Sequence, residues 1–271
     1  MAGSLPATAQ LHLKQLSIFS MITRLPNNIL NKIGRHRLTT DKDSSKSWFM
    51  GIKTICSTYL LPHPLALLDS PPTKESANQL FKEKVIDYWQ TRLRKDTAEL
   101  PSLRYFKPQY MSLSKPHPLW VTAGNNSYEV CKSVIQIKML SGRYRSDWLA
   151  RHFSNNNSGL CVICTEEVPG TIEHILIQCE SLTNVRMNLV QYLNEDSQIS
   201  EIVKSLITPV LQSTDVSTIV QLLLDCSTLP DVITAIQIHG ETVLEELFRF
   251  TRTWCFSIHK KRLQLQGRWT K

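Results

Sequence analysis

Three of the chain's seven cysteines and one histidine fall inside nineteen residues, CVICTEEVPGTIEHILIQC (161–179), in the order Cys161, Cys164, His174, Cys179. Thiolates and imidazoles are the donors zinc prefers. A structural zinc takes four of them in a tetrahedron, with Zn–S about 2.3 Å and Zn–N about 2.0–2.1 Å. Cys161 and Cys164 can hold one ion from a tight knuckle, and His174 and Cys179 must then arrive from another element. Gly170 and Thr171 read as a turn and a helix N-cap, Glu173 suits a first helical turn, and Ile172, Ile175 and Leu176 continue apolar. His174 therefore belongs to a short helix. At roughly 100° per residue, His174 and Cys179 differ by about 140° around a straight helix. The helix is expected to end or tighten near Gln178 so that Cys179 can reach the ion.

Other chemistries fit less well. A redox C-x-x-C needs a βαβ setting, and the pattern here shows none. A catalytic zinc keeps one position open and favours His or carboxylate ligands, whereas this set of four is closed. Buried cysteines beside an unrelated histidine remain the plain alternative. The remaining cysteines, Cys56, Cys131, Cys226 and Cys255, stand singly on apolar helical faces and read as small core residues.

A second candidate lies just upstream. Lys138, Arg143, Arg145 and Arg151 fall within fourteen residues against a single acid, Asp147, with Tyr144 and Trp148 among them. Cations of this kind meet phosphates, and aromatic faces stack on unpaired bases. Packing in the core is the competing role for both rings. His259, Lys260, Lys261 and Arg262 form a further basic cluster, either a second contact or favourable charge at a helix C-terminus.

The elements that must position these residues read as helices almost throughout. With 271 residues, 42% hydrophobic and 20% charged, the chain has material for a folded core. Residues 1–160 carry 22 Lys/Arg against 10 Asp/Glu, and residues 161–271 carry 9 against 13. That asymmetry points to an anionic partner for the N-terminal part. No apolar run approaches the ~18–20 residues of a membrane span, and His12, Lys14 and Gln15 interrupt any secretory core near the start. The expected setting is a reducing intracellular one, nuclear or cytoplasmic, where clustered thiols bind metal. Helical periodicity covers Leu11, Leu16, Phe19 and Ile22. Another helix, capped by Ser44 or Ser45, carries Trp48, Ile52, Cys56 and Tyr59. A long charged helix opens at Thr73. Residues 101–124 read as irregular packed chain. Asn126 or Ser127 caps a helix with the stripe Val130, Val134, Ile137 and Leu140, and further helices are expected near 181–194, 199–207 and 215–226, with a last long one from about Pro230 or Thr242 through Trp254 to Lys261. The stretch NNNSG (155–159) reads as a boundary.

The stretch SGRYRSDWLARHFSNNNSGLCVICTEEVPGTIEHILIQC (141–179) resembles the segment downstream of the polymerase in non-LTR retrotransposon (LINE-like) reverse transcriptases. There a basic G-R-Y-R-like helix leads into a Cys-Cys-His-Cys zinc knuckle. The segments LPATAQLHLKQLSIFSMITRLPNNIL (5–30), SSKSWFMGI (44–52), LPHPLALL (61–68), YFKPQYMSLSKPHPLW (105–120), TAGNNSYEV (122–130) and residues 232–269 are similar to the same region, so the resemblance spans essentially the whole chain. Departures are as informative. The palm's paired aspartates have no counterpart, since the chain has no Asp-Asp dipeptide. Pro230-Asp231 lacks the basic residue of a restriction-like nuclease motif, with Leu229 in its place, and reads as a helix start. Met1 falls inside what is continuous polymerase sequence in the family, which implies the C-terminal piece of an element, a truncated copy or a late-starting gene model.

The expectations are these. The fold is mainly α, with a basic helical region over 1–155, a zinc knuckle over 156–182 and a C-terminal helical region over 183–271. One structural zinc sits on Cys161, Cys164, His174 and Cys179. Lys138, Arg143, Tyr144, Arg145, Trp148 and Arg151 contact nucleic acid, either element RNA or target DNA, beside an upstream polymerase domain. No catalytic centre, membrane or small-molecule substrate is expected. A zinc-stapled protein-interaction module and a functionless remnant of a mobile element are the alternatives.

Overall fold

The computed structural model describes residues 5–42, 46–110, 115–153, 158–196 and 199–268. Among these residues the chain is helical, without a strand, and one isolated antiparallel bridge joins Leu160 to Pro169. It divides into two compact units, one essentially residues 3–95 and the other residues 96–271, with the division inside a continuous helix.

The first unit holds α1 (Ala7–Thr23), α2 (Ile29–Thr40), α3 (Trp48–Thr58), α4 (Pro64–Asp69) and most of α5 (Lys74–Glu99). Leu16 and Phe19 of α1, Phe49, Ile52 and Cys56 of α3, and Phe81 and Val85 of α5 belong to its core, whereas Leu11 and Trp48, expected on the apolar faces, are exposed. Ser47 caps α3, its side chain accepting from Met50 N at 3.3 Å. The expected caps Ser44 and Ser45 lie outside the described residues. Thr73 caps α5 by accepting from Ser76 N. Helix α2, capped by Asn28, has no counterpart in the sequence reading.

The second unit begins with short 3₁₀ turns at Pro101–Leu103 and Pro108–Tyr110 and continues through α6 (Pro118–Val121), α7 (Ser127–Leu140) and α8 (Asp147–Ala150). After the cysteine segment come α9 (Thr183–Glu195), α10 (Glu201–Leu211), α11 (Val216–Asp225), α12 (Pro230–His239) and α13 (Thr242–Leu265). The long α13 is the spine. Leu247, Phe248, Phe250, Trp254, Cys255 and Ile258 are all buried along it, and α7, α9, α11 and α12 pack against it.

Helix α7 departs from expectation. Asn126 caps it as read, donated to by Tyr128 N and Glu129 N. Its fully buried side chains, however, are Lys132, Ser133, Gln136, Met139 and Leu140, while Val130, Val134 and Ile137 are only partly covered. The polar face is tolerated because most of its polar atoms are paired, Gln136 Oε1 being the exception. Gln136 Nε2 donates to the Leu223 carbonyl at 2.8 Å and Thr251 Oγ1 at 3.1 Å, and Ser133 donates to the Leu119 carbonyl. Lys132 and Arg252 share the Glu129 carboxylate.

The sequence boundary at NNNSG falls largely outside the described residues. The chain on both sides of residues 154–157 belongs to the same unit. Val216–His239 has the length and apolar composition to cross a membrane. It is mostly buried and is broken into α11 and α12 by a 3₁₀ turn at Cys226–Thr228 followed by Pro230.

Candidate metal centre

Between Gly159 and Cys179 the chain folds back on itself twice. Cys161 N donates to the Val168 carbonyl at 2.8 Å, and Gly170 N to the Gly159 carbonyl at 2.9 Å, closing the loop that carries Cys161 and Cys164. Thr171 Oγ1 then accepts from His174 N at 3.3 Å, the expected N-cap. The turn that follows, His174–Gln178, is π-helical: Cys179 N donates to the His174 carbonyl at 2.7 Å. The helix ends at Gln178, as expected, and its last turn widens instead of tightening. An i→i+5 turn uses more residues per revolution, so a residue five along comes back over the first. That is how His174 and Cys179 come to face the same point.

The donor atoms of Cys161, Cys164, His174 and Cys179 all lie within 4.8 Å of one another. Cys161 Sγ is 3.9 Å from Cys179 Sγ, and Cys164 Sγ is 3.4 Å from His174 Nε2. A tetrahedron with Zn–S of about 2.3 Å sets its sulfurs about 3.8 Å apart, so these spacings fit one ion. Burial, followed by the neighbouring thiols, pushes Cys179 up to about 12, and burial also raises Cys164. Thiolates in this setting need a cation among them. Burial lowers the pKa of His174, which favours the neutral, ligating imidazole. The four residues are close enough to hold a metal ion.

Two paired carboxylates, Glu173 and the buried Asp147, anchor the π turn and the loop. Glu173 pairs with Arg104 and accepts from the Tyr105 hydroxyl at 2.5 Å. Burial opposes its charge, yet the Tyr105 bond and the Arg104 charge hold its pKa below the usual range. Asp147 accepts from Arg262 Nη2 at 2.8 Å and from Val162 N at 3.4 Å. A Cβ on Gly170 would stand 2.8 Å from Asp147 Cβ, so glycine is required for this approach.

The residues expected to meet nucleic acid separate into two groups. Lys138, Arg143 and Arg145 are exposed. Tyr144 is 5% exposed, with its hydroxyl 3.0 Å from His259 Nδ1 and beside Arg262. A ring held there has no face for a base, which corrects its assignment as a stacking residue. Trp148 is 37% exposed, but the Arg151 guanidinium lies 3.2 Å from its ring centroid and covers that face. Of the second basic cluster, His259 and Arg262 turn inward while Lys260 stays exposed. Tyr144 and the Arg145 carbonyl meet His259 and Arg262 directly, so the two clusters are neighbours. Cys56, Cys226 and Cys255 are buried as expected; Cys131 is exposed, contrary to the sequence reading. Sequence reasoning missed Asp147, Arg262 and Glu173 as the supports of the site, because their partners lie about 70 to 115 residues away.

Compared with protein-family models, curated proteins and solved structures, the chain matches none.

Proposed function

We propose that the chain is a zinc-stapled nucleic-acid-binding module, the C-terminal region of a non-LTR retrotransposon reverse transcriptase, which positions RNA or target DNA and performs no chemistry itself. Zinc suits the donor set, since three thiolates and an imidazole in a closed tetrahedral group leave no open position. The observation that carries the nucleic-acid reading is the exposure of Lys138, Arg143 and Arg145 on a stretch that Tyr144 and Asp147 tie to α13 and to the metal loop. Asp147, the acid within the basic stretch, is spent on Arg262 and does not neutralise this face. The sequence resemblance supports the same reading.

Fluorescence titration of a labelled single-stranded RNA over a salt series tests it. Three or four phosphate contacts predict a slope of log affinity on log salt of about −2 to −3. Replacing Arg143 and Arg145 together by alanine flattens that slope by roughly 1.4 units and weakens all sequences about equally, with metal content unchanged. Parental affinity and slope in the double variant would place the contact elsewhere.

The alternative, a protein-interaction module, draws on one feature of the first unit. Leu11, Ile18, Met21 and Leu25 are exposed at heptad-like spacing along and just beyond α1. Binding of no nucleic acid at moderate salt favours it.

A further inference from the structure

Arg186, in the first turns of α9, is a cation in contact with the metal segment to which the zinc reading gives no role. Its Nη2 donates to the Cys179 carbonyl at 2.7 Å and to Thr183 Oγ1 at 2.9 Å. Its Nη1 is buried without a hydrogen-bond partner among the described residues. A buried guanidinium nitrogen left unpaired is costly unless a negative charge stands close by. Burial lowers the Arg186 pKa, and the Coulomb interaction with Cys179 acts in the opposite direction. Arg186 also acts on the His174 ring. The guanidinium is therefore electrostatically coupled to two of the four donors.

The charge of the loaded centre shows what is missing. Metal-binding cysteines are deprotonated and the histidine is neutral, so three thiolates with Zn²⁺ leave a net charge of about −1. Two of the acids beside the site are already matched, Asp147 by Arg262 and Glu173 by Arg104. Glu166, which also acts on His174, adds negative charge. A cation is needed, and Arg186 is tethered at the right place.

We propose that Arg186 is the counter-charge of the zinc–thiolate centre: held by the Cys179 carbonyl and Thr183, it neutralises the centre and slows both zinc release and electrophilic attack on Cys179. The proposal rests on the zinc reading. Outer groups that orient and tune metal ligands typically change metal affinity by about 10–100-fold when lost.

The test uses the full chain, first assayed for zinc by elemental analysis. Zinc transfer to a chromophoric chelator and alkylation by iodoacetamide are then timed for the parent, Arg186→Gln and Arg186→Lys. The glutamine variant keeps an amide donor on a shorter side chain and removes the charge, while the lysine variant keeps the charge. It is expected to release zinc about tenfold faster or more and to alkylate faster, while the lysine variant stays within about threefold of the parent. Release from Arg186→Gln within about twofold of the parent, or a lysine variant as labile as the glutamine one, overturns the counter-charge. If circular dichroism shows that Arg186→Gln does not hold the fold, Thr183→Val, which removes one tether, carries the comparison with a smaller expected rise. A parent chain without zinc refutes the metal reading itself. A zinc-loaded parent with an equally inert Arg186→Gln refutes only the role of Arg186.

Discussion

Asp147 meets three demands with one short side chain. It neutralises Arg262, accepts from Val162 N in the metal loop, and occupies the space that Gly170 leaves open. In the sequence it stands among cations and reads as an incidental acid; in the fold it joins the metal loop to α13. Both partners are nearly buried, with side-chain exposures of 4% for Arg262 and 8% for Asp147. Removing one member of such a pair strands the other, at a cost of about 3–5 kcal/mol. Arg262→Met is therefore expected to destabilise the second unit by that amount in urea unfolding, and adding Asp147→Asn to recover part of the loss. An Arg262→Met variant as stable as the parent contradicts this role. The ligands were legible in the sequence because all four lie within nineteen residues and their chemistry is local. Tyr144 was misread because its partners, His259 and Arg262, are 115 and 118 residues away.

At the scale of elements, caps and apolar spacing located most helices. Asn126 and Thr73 act as the sequence suggests, and α1 and α3 bury Leu16, Phe19, Ile22, Ile52 and Cys56 as their periodicity selects, while Leu11 and Trp48 of the same stripes stay exposed. Helix α7 escaped that logic, since its buried face is polar, with Gln136 Nε2 donating to carbonyls of α11 and to Thr251 of α13. The π turn escaped it too, because no residue type announces an i→i+5 bond. The chain after α7 meets α13 through Tyr144 and His259. Burial, with the charges of Arg262 and Lys138 behind it, lowers the His259 pKa from 6.5 to about 4. A folded-state value below the unfolded one means that the stability conferred by the neutral ring is complete above pH 6.5 and is lost as pH falls toward 4. His259→Gln, which keeps a partner for Tyr144, is expected to flatten the stability of the second unit across that window. Equal pH dependence in parent and variant, followed by thermal unfolding, removes His259 from the account.

Across the whole molecule, the sequence yields the mainly helical class but not the division into units. A polar run, NNNSG, looks like a boundary, yet the division falls at Lys95–Asp96 within α5, where no change of composition marks it. The metal loop belongs to the second unit through Asp147, Glu173 and the packing of Ile175 and Leu176, all buried or paired. Binding energies of structural zinc sites, roughly 10–16 kcal/mol in apparent terms, exceed what a short loop can supply by packing, so loss of metal is felt there first. The core of the first unit, from Leu16 to Val85, contains none of the ligands. The most direct measurement is the metal content of freshly purified chain, set beside that of Cys164→Ser. The account predicts one zinc per parent chain, none in the variant, and loss of structure over residues 160–180 while the helices of the first unit persist. A parent chain without zinc, or a Cys164→Ser chain that keeps it, contradicts the account.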